Sequence, residues 1–522
     1  MTKPNAAVDD TLVGLIDDAS NRFKDQPCLI HGDESLTYGE VQAASRRVAN
    51  GLLDGGFAAG MRGAVLSPND PWAVVATLGI IRARGIWVPI NPRNSFEENL
   101  AQLERFGCNA LFYHSSFAKM ANTLLERLPE IKIAVALDDS ATTSIRDWSA
   151  RWPDSAPAIH YDPLDIVSIP MTGGTTGVPK AVALSNRNFA AILRGVAKIN
   201  EPEPPVFLAA APMTHVGGRL VLTVMYRGGI SVVLPKIEPQ IILDAIPRYG
   251  ITELFLPPTA LYDLLSQPNV RDVNYSSVKR ILYGAQPMSI EKLKLAIKIF
   301  GPVMAGGYGQ TEAPLLITYF HPNDHFVEGE LAPDERLRSV GRPTHDSEIV
   351  IVDEDGKILP AGERGEVLVR GPFVSEGYFE NSQATADVRR DGWHMTGDIG
   401  YRDEDGYLYL VDRKRDMIIT GGFNVYSAEV ERIITGLPGV RDCVVIGVPD
   451  DKWGEAVKAV VMLDSGSELD TDFLISECRR RLGPVKTPKS VDFVNDLPRT
   501  AAGKVDKKKV RNNYWAGTGR SI

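Results

Sequence analysis

The ten residues Met171-Thr-Gly-Gly-Thr-Thr-Gly-Val-Pro-Lys180 follow an apolar run, Ile166–Pro170, and hold three glycines, three threonines and a lysine. Glycines let a backbone approach a ligand closely. Successive N–H groups in such a turn make a concave anion site, to which threonine hydroxyls add donors. The chemistry implied is phosphate binding, by Thr172, Gly173, Gly174, Thr175, Thr176, Gly177 and Lys180. A Walker loop requires Gly-Lys-Ser/Thr after its four-residue spacer, whereas Lys180 stands between Pro179 and Ala181. P-loop kinase or GTPase chemistry is therefore excluded.

Four further constellations could do chemistry. In Gly306-Gly-Tyr-Gly-Gln-Thr-Glu312 an aromatic ring between glycines can stack on a base, and Glu312 can hold a magnesium ion bound to phosphates. Trp393-His-Met-Thr-Gly-Asp398 presents one carboxylate from a turn. Asp412-Arg-Lys-Arg-Asp-Met-Ile-Ile-Thr-Gly-Gly422 is dense in charge, and Leu497-Pro-Arg-Thr-Ala-Ala-Gly-Lys504 places a lysine just beyond a glycine in a tail. Any one of these alone could be structural. His321 and His325 have i,i+4 spacing, but Pro322 disfavours the helix that would align them on a metal. His394 reads as a surface turn residue. There is no Gly-x-Ser-x-Gly elbow, so a Ser-His-Asp hydrolase has no support.

The elements that must position these residues alternate. Val41, Ala44, Val48 and Leu52 recur at helical spacing up to Gly55-Gly56, and 73–81 reads as a buried helix. Short apolar strands are expected at 62–67, 86–90, 110–113, 131–136, 206–209, 230–234, 253–256 and 280–283. Strands separated by helices imply parallel sheets covered on both faces, which bind ligands at the carboxyl ends of their strands. From Ser347 the texture changes to short strands with Asp/Gly turns, at 348–352, 365–370 and 407–411, as in a barrel-like subdomain. Beyond Arg415, strands at 443–448, 456–462 and 490–494 and a helix near 470–481 make a small α+β domain. The expected fold is thus α/β: a large N-terminal domain of doubly wound sheets (1–346) with a barrel-like β subdomain (347–414), then a small mobile C-terminal α+β domain (415–522). The segment 500–522 is expected to be mobile apart from its one motif.

A chain of 522 residues suggests about three domain-sized units. Its net charge of −9 argues against non-specific nucleic-acid binding. Cys28, Cys108, Cys443 and Cys478 form no Cys-x-x-Cys pair, so neither a zinc site nor a disulfide framework is indicated. The first ten residues have no apolar core of the kind a secretory signal needs, and the longest apolar run, 73–81, is far below the ~18 residues of a membrane span. A soluble cytoplasmic monomer or homodimer is expected.

In this order, the five motifs resemble the AMP-forming acyl-adenylating superfamily of acyl- and aryl-CoA ligases, firefly-type luciferases and peptide-synthetase adenylation domains. The resemblance runs from about Leu36 to Lys509, and Gly421-Gly-Phe-Asn-Val-Tyr-Ser-Ala-Glu-Val-Glu431 is most similar to the CoA ligase branch. It implies that a carboxylate attacks the α-phosphate of ATP to give acyl-AMP and pyrophosphate, after which the thiol of coenzyme A displaces AMP. It assigns the glycine/threonine loop to the β- and γ-phosphates, Glu312 to Mg2+, Thr311 and Gln310 to the nucleotide, and Tyr308 between Gly307 and Gly309 to the adenine face. Gly284, Ala285 and Gln286 fall at the purine pocket, and Asp398 and Arg413 at the ribose hydroxyls. Lys504 bridges the substrate carboxylate and α-phosphate, His215 stands beside the acyl carboxylate, Arg415 is the hinge of a rotating C-terminal domain, and Gly421, Gly422 and Phe423 line the CoA channel. Gly173, Ala181, Gly306 and Arg415 depart from the residues relatives usually carry.

By the same resemblance the acyl pocket is walled by Met213, His215, Val216, Tyr283, Gly284, Gly307 and Pro314. These walls offer no cation or carboxylate to a substrate tail, which favours a fatty, alicyclic or aromatic monocarboxylic acid over amino acids and dicarboxylates. The alternative is adenylation with another acceptor: a carrier protein, an amine, or oxygen as in luciferases.

Overall fold

The computed structural model describes residues 10–139, 143–172, 180–199, 203–315, 317–450, 452–499 and 505–515. They divide into two compact units. The first holds the chain up to Thr172, Lys180–Glu348 and Arg370–Asp387; the second holds Ile349–Val369 and the chain from Val388 onward.

Two sheets build the first unit. One has the strand order 377–378, 182–185, 166–168, 86–89, 62–66, 108–113, 133–136. The other has the order 342–343, 318–320, 304–308, 280–284, 253–256, 206–209, 230–233, 27–31, 34–37, and its strands from Pro27–His31 to Met304–Tyr308 run parallel. Strands such as Ile86–Pro89 are buried throughout, as expected where helices cover both faces. Helix Pro71–Arg82 begins with Asp70 accepting from the Trp72 amide, has Pro71 in its first turn, and is buried on every side. Helix Tyr38–Asp54 starts with a capping box between Thr37 and Glu40 and stops at Gly55.

The second unit opens with an antiparallel sheet in which Trp393–Arg402 pairs with Gly365–Arg370, Arg389–Arg390 and Leu408–Arg413. Residues Arg370–Asp387 lie within the segment expected to form the barrel. They group instead with the first unit, where Gly377-Tyr378 pairs with Val182-Ala183. The C-terminal strands are Ile418–Thr420, Phe423–Val425, Val440–Asp450, Gly454–Leu463 and Ser490–Phe493. Helices Ser427–Thr435 and Thr471–Lys486 join this sheet, the latter kinked at Gly483, whose φ is +77°.

Two expectations are corrected. The tail is not featureless: Lys507–Trp515 is a helix, with Val510 buried and the Trp515 indole donating to the Gly447 carbonyl at 2.9 Å. His394 is not at the surface; it is 2 % exposed on strand Trp393–Arg402. Alternation along the strand turns it inward, which a turn-like sequence concealed. His325 is likewise fully buried, in the short turn Pro322–His325.

Burial holds the pKa of His325 down to about 4, and burial together with Arg389 holds that of His394 down to about 3, from histidine's usual 6.5. Both are neutral in the folded protein at pH 7, while the unfolded chain protonates them below 6.5. Stability is therefore full above pH 6.5 and falls as pH drops from there toward 4, by roughly 3 kcal/mol per group at the lower end. Guanidinium unfolding midpoints at pH 7 and pH 4.5 check this; an unchanged midpoint would contradict it.

Candidate active site

A channel enters the first unit between the sheet and helix Val216–Tyr226. It encloses about 850 Å³ of space not filled by atoms, its open mouth included. Gly284, Ala285, Gly307, Tyr308, Gly309 and Leu315 line the mouth, at the carboxyl ends of strands Arg280–Gly284 and Met304–Tyr308. A Cβ on Gly284 would sit 2.8 Å from the Gly307 carbonyl oxygen, so only glycine permits these strands to close here. Ala285 and Leu315 both hold φ of +65°, a conformation that non-glycine residues pay for and that clusters at ligand sites. Behind the mouth, Phe207, Phe255 and Leu282 of the sheet face Val216, Leu220 and Val224 of the helix.

At the far end stands a charged group. Arg227 donates to both Glu253 carboxylate oxygens, at 2.9 and 3.0 Å. Arg280 also donates to Glu253, and its other arm donates to the Tyr319 hydroxyl at 3.2 Å. The three side chains are 6 %, 13 % and 11 % exposed, for Arg227, Glu253 and Arg280. Burial pushes the Glu253 pKa up, but its two arginines outweigh that and hold it below the usual carboxylate range. Residues 216, 220, 223, 224 and 227 fall on one helical face, a spacing that was legible; what that face met was not.

Of the residues expected in the acyl pocket, Val216, Tyr283, Gly284 and Gly307 line this channel. Met213 instead lines a second cavity, with Asn69, Trp87 and Pro235. His215 is exposed at the helix start, its ring 2.9 Å from the Thr214 hydroxyl, and Pro314 is buried. The expectation that no cation or carboxylate faces the pocket is corrected by Arg227, Glu253 and Arg280, which lie far from the motifs in sequence. Helix Val216–Tyr226 carries a further arginine, Arg219, 8 % exposed, whose pKa burial lowers to about 10.

Tyr283 donates its hydroxyl to His325 Nε2 at 3.0 Å, because His325 Nδ1 faces the His321 carbonyl at 3.0 Å and must carry the proton. Glu312 sits on the turn between Gly309 and Leu315, closed by the Gln310 and Ala313 backbones. Tyr378, which sequence reasoning missed, donates to Glu312 at 2.8 Å, and the Lys180 ammonium lies 4.8 Å from the Tyr378 ring centroid. Thus one tyrosine links two residues that the motifs had named separately. Thr172 and Lys180 are paired backbone to backbone at 2.8 Å, forming the stem of the glycine/threonine loop. Gly173, Gly174, Thr175, Thr176 and Gly177 lie outside the described residues, as does Lys504.

In the second unit, Asp398 and Arg413 are direct register partners and form an ion pair at 3.1 Å. Gly421 and Gly422 make a two-residue hairpin turn, with φ of +57° and +82°. Both positive values suit glycine, and a Cβ on Gly421 would meet the Trp453 ring at 2.5 Å. Phe423 beside them is exposed. Arg415 lies in the short turn Lys414–Asp416, its pKa lowered by burial and by Arg413. A buried network missed from the sequence anchors the C-terminal helix. Lys507 donates to Ser427 at 2.7 Å and pairs with Glu431 at 2.8 Å, while Ser427 donates to Asp412 at 2.9 Å. Burial raises the pKa of both carboxyl groups, and the Lys507 charge opposes that rise.

Residues 16–379 match the family described as AMP-binding enzyme, and residues 429–504 match the AMP-binding enzyme C-terminal domain. The medium/long-chain-fatty-acid–CoA ligase FadD8 of Mycobacterium tuberculosis is 34% identical over 97% of this chain and 91% of its own length. A feruloyl-CoA synthase of an Amycolatopsis species is 34% identical over 93% of this chain and 95% of its own. Among solved structures, the amide bond synthetase McbA of Marinactinospora thermotolerans superposes with a TM-score of 0.87 at 32% identity, covering 96% of this chain and all of that one. The chain belongs to the AMP-binding enzyme family, in its AMP-forming acyl-CoA ligase branch. Among the described residues, no helix is long and apolar enough to cross a membrane.

Two substitutions test the site. Tyr378→Phe keeps the ring above Lys180 but removes the hydrogen bond to Glu312; pyrophosphate release should fall about 5-fold with an unchanged melting temperature. Lys507→Met leaves Glu431 and Asp412 buried without their cation, which should cost about 3–5 kcal/mol in urea unfolding of the second unit.

Proposed function

We propose that the protein is an ATP- and Mg2+-dependent acid–CoA ligase acting on a fatty, alicyclic or aromatic acid. The observation that carries this reading is the deep, largely apolar channel opening beside the turn that bears Glu312. A hydrophobic acyl or aryl body fills such a channel, and its carboxylate is left at the mouth. Attack on the α-phosphate of ATP brings one anion onto another, so the main catalytic term is neutralisation of charge. Lys504 supplies part of it. Glu312, an oxygen donor oriented by Tyr378, suits a hard cation held largely by substrate phosphates and water.

Tyr308, Gly284, Ala285 and Gln286 hold the adenine. Asp398, whose carboxylate accepts two hydroxyl bonds, holds the ribose with Arg413. The Thr172–Lys180 stem presents the loop that grips the leaving pyrophosphate. The C-terminal domain then turns about Arg415, replacing Lys504 by the Gly421-Gly422 turn at the thiol entrance. The likeness to an amide bond synthetase supports a second reading, in which an amine takes the acyl group from the adenylate.

Pyrophosphate release over a panel of acids, with and without CoA and followed by product identification, separates the two readings. A thioester product supports the ligase, and an amide formed only with added amine supports the second. Lys504→Ala should lower adenylate formation at least ~100-fold yet still permit thioester formation from supplied acyl-AMP. Equal loss in both half-reactions would sink the assignment of Lys504 to the first step.

A further inference from the structure

Glu312 and the stem of the glycine/threonine loop both meet one short stretch of chain, residues 372–379, which belongs with them to the first unit. The Ser375 amide donates to the Glu312 carbonyl at 2.8 Å, and the Tyr378 hydroxyl donates to the Glu312 carboxylate at 2.8 Å. The same stretch pairs with the strand that leaves Lys180, Gly377 opposite Ala183 and Tyr378 opposite Val182. There the Glu376 amide donates to the Ala183 carbonyl at 3.0 Å, and the Phe379 amide to the Ala181 carbonyl at 2.8 Å. Phe373, Val374 and Ser375 are buried, so their backbone cannot slide without stranding polar groups away from water. Two side chains anchor the stretch at the start of helix Asn186–Lys198. Asn188, fully buried, donates to the Pro372 and Val374 carbonyls at 3.0 and 2.9 Å, and its oxygen accepts from the Ser185 amide at 2.9 Å. Both its amide hydrogens and its oxygen are thereby engaged. Glu376 accepts from the Ser185 hydroxyl at 2.8 Å and from Arg187 through both oxygens, at 2.8 and 2.9 Å. Neither Asn188 nor Glu376 lines the channel.

Resting on the ligase reading above, we infer that residues 372–379 set the spacing between the Glu312 carboxylate and the loop stem, and that Asn188 and Glu376 are the positioning residues that fix this stretch. A nucleoside triphosphate with its cation must engage both partners at once. Its β- and γ-phosphates go to the loop and its cation to Glu312, so its affinity depends on the gap between them as well as on each partner. A nucleoside monophosphate makes the adenine and ribose contacts without spanning that gap. The stretch therefore acts on the triphosphate and leaves the monophosphate alone. Asn188 acts through Val374 and the adjoining Ser375 amide on the Glu312 backbone. Glu376 acts through the Gly377-Tyr378 pairing on the Glu312 carboxylate.

The test compares the dissociation constants of MgATP and AMP, by calorimetry, for the full chain and for its Asn188→Ala and Glu376→Gln variants. Asn188→Ala leaves two buried carbonyls without their donor and should weaken MgATP about 10-fold. Glu376→Gln keeps the shape but removes the charge that Arg187 grips with both arms, and should weaken MgATP about 3-fold. The affinity for AMP should stay as it is in the parent chain. A merely structural defect would weaken both nucleotides, so the ratio of the two constants is the deciding readout. Glu376→Gln decides alone if Asn188→Ala fails to fold. Equal weakening of MgATP and AMP, or an unchanged MgATP constant, would overturn the inference and leave the ligase reading standing. A parent chain that binds MgATP yet releases no pyrophosphate with any acid would overturn the ligase reading, and this inference with it.

Discussion

The register of three parallel strands, Glu253–Leu256, Arg280–Gly284 and Met304–Tyr308, is the constraint on which the site depends. Pairing Glu253 with Arg280 and Gly284 with Gly307 fixes both ends of one channel at once. The close approach at Gly284 lets the mouth narrow beneath Tyr308, and the pairing at the other end brings a carboxylate to a guanidinium. A one-residue slip would turn Glu253, Phe255, Arg280 and Leu282 to the other face of the sheet. It would leave charges in the hydrophobic layer and close the channel. Burial of that layer is what makes the register strongly specified.

Two of the motif segments are flanked by paired backbone. Thr172 and Lys180 pair across the glycine/threonine loop, and Arg499 and Val505 pair across the loop that carries Lys504. A paired stem fixes where a loop starts and ends. The second stem is held further by Arg499 against Asp442 at 2.5 Å and by the Asp506 amide against the Pro498 carbonyl.

Buried charge is handled in two ways. In the C-terminal region, Lys507 lies among Glu431, Asp412 and Asp416, so its cation is over-matched and the helix Lys507–Trp515 stays docked. At the channel floor Arg227 and Arg280 both donate to Glu253, whose pKa they hold below the usual carboxylate range. Arg227 also stands at the C-terminus of its helix, where the backbone dipole favours a cation.

Strand positions and most helix limits were legible in the sequence because burial imposes a period on them. Val41, Ala44, Val48 and Leu52 repeat every turn, and runs such as Val206–Ala209 are apolar on both faces. The five motifs were legible because each is a short run of distinctive residue types. His394 and the Lys507–Trp515 helix were not: a strand's alternation is hidden when polar residues point inward, and Lys507 finds its partners in residues as distant as Asp412. The same holds for Tyr378, 66 positions from the Glu312 it orients. The sequence by itself determined the family and the enzyme class. Only the tertiary structure decided which charges line the channel. Arg227, Glu253 and Arg280 share no local pattern; strand register pairs the last two, and the helix Val216–Tyr226 delivers the first.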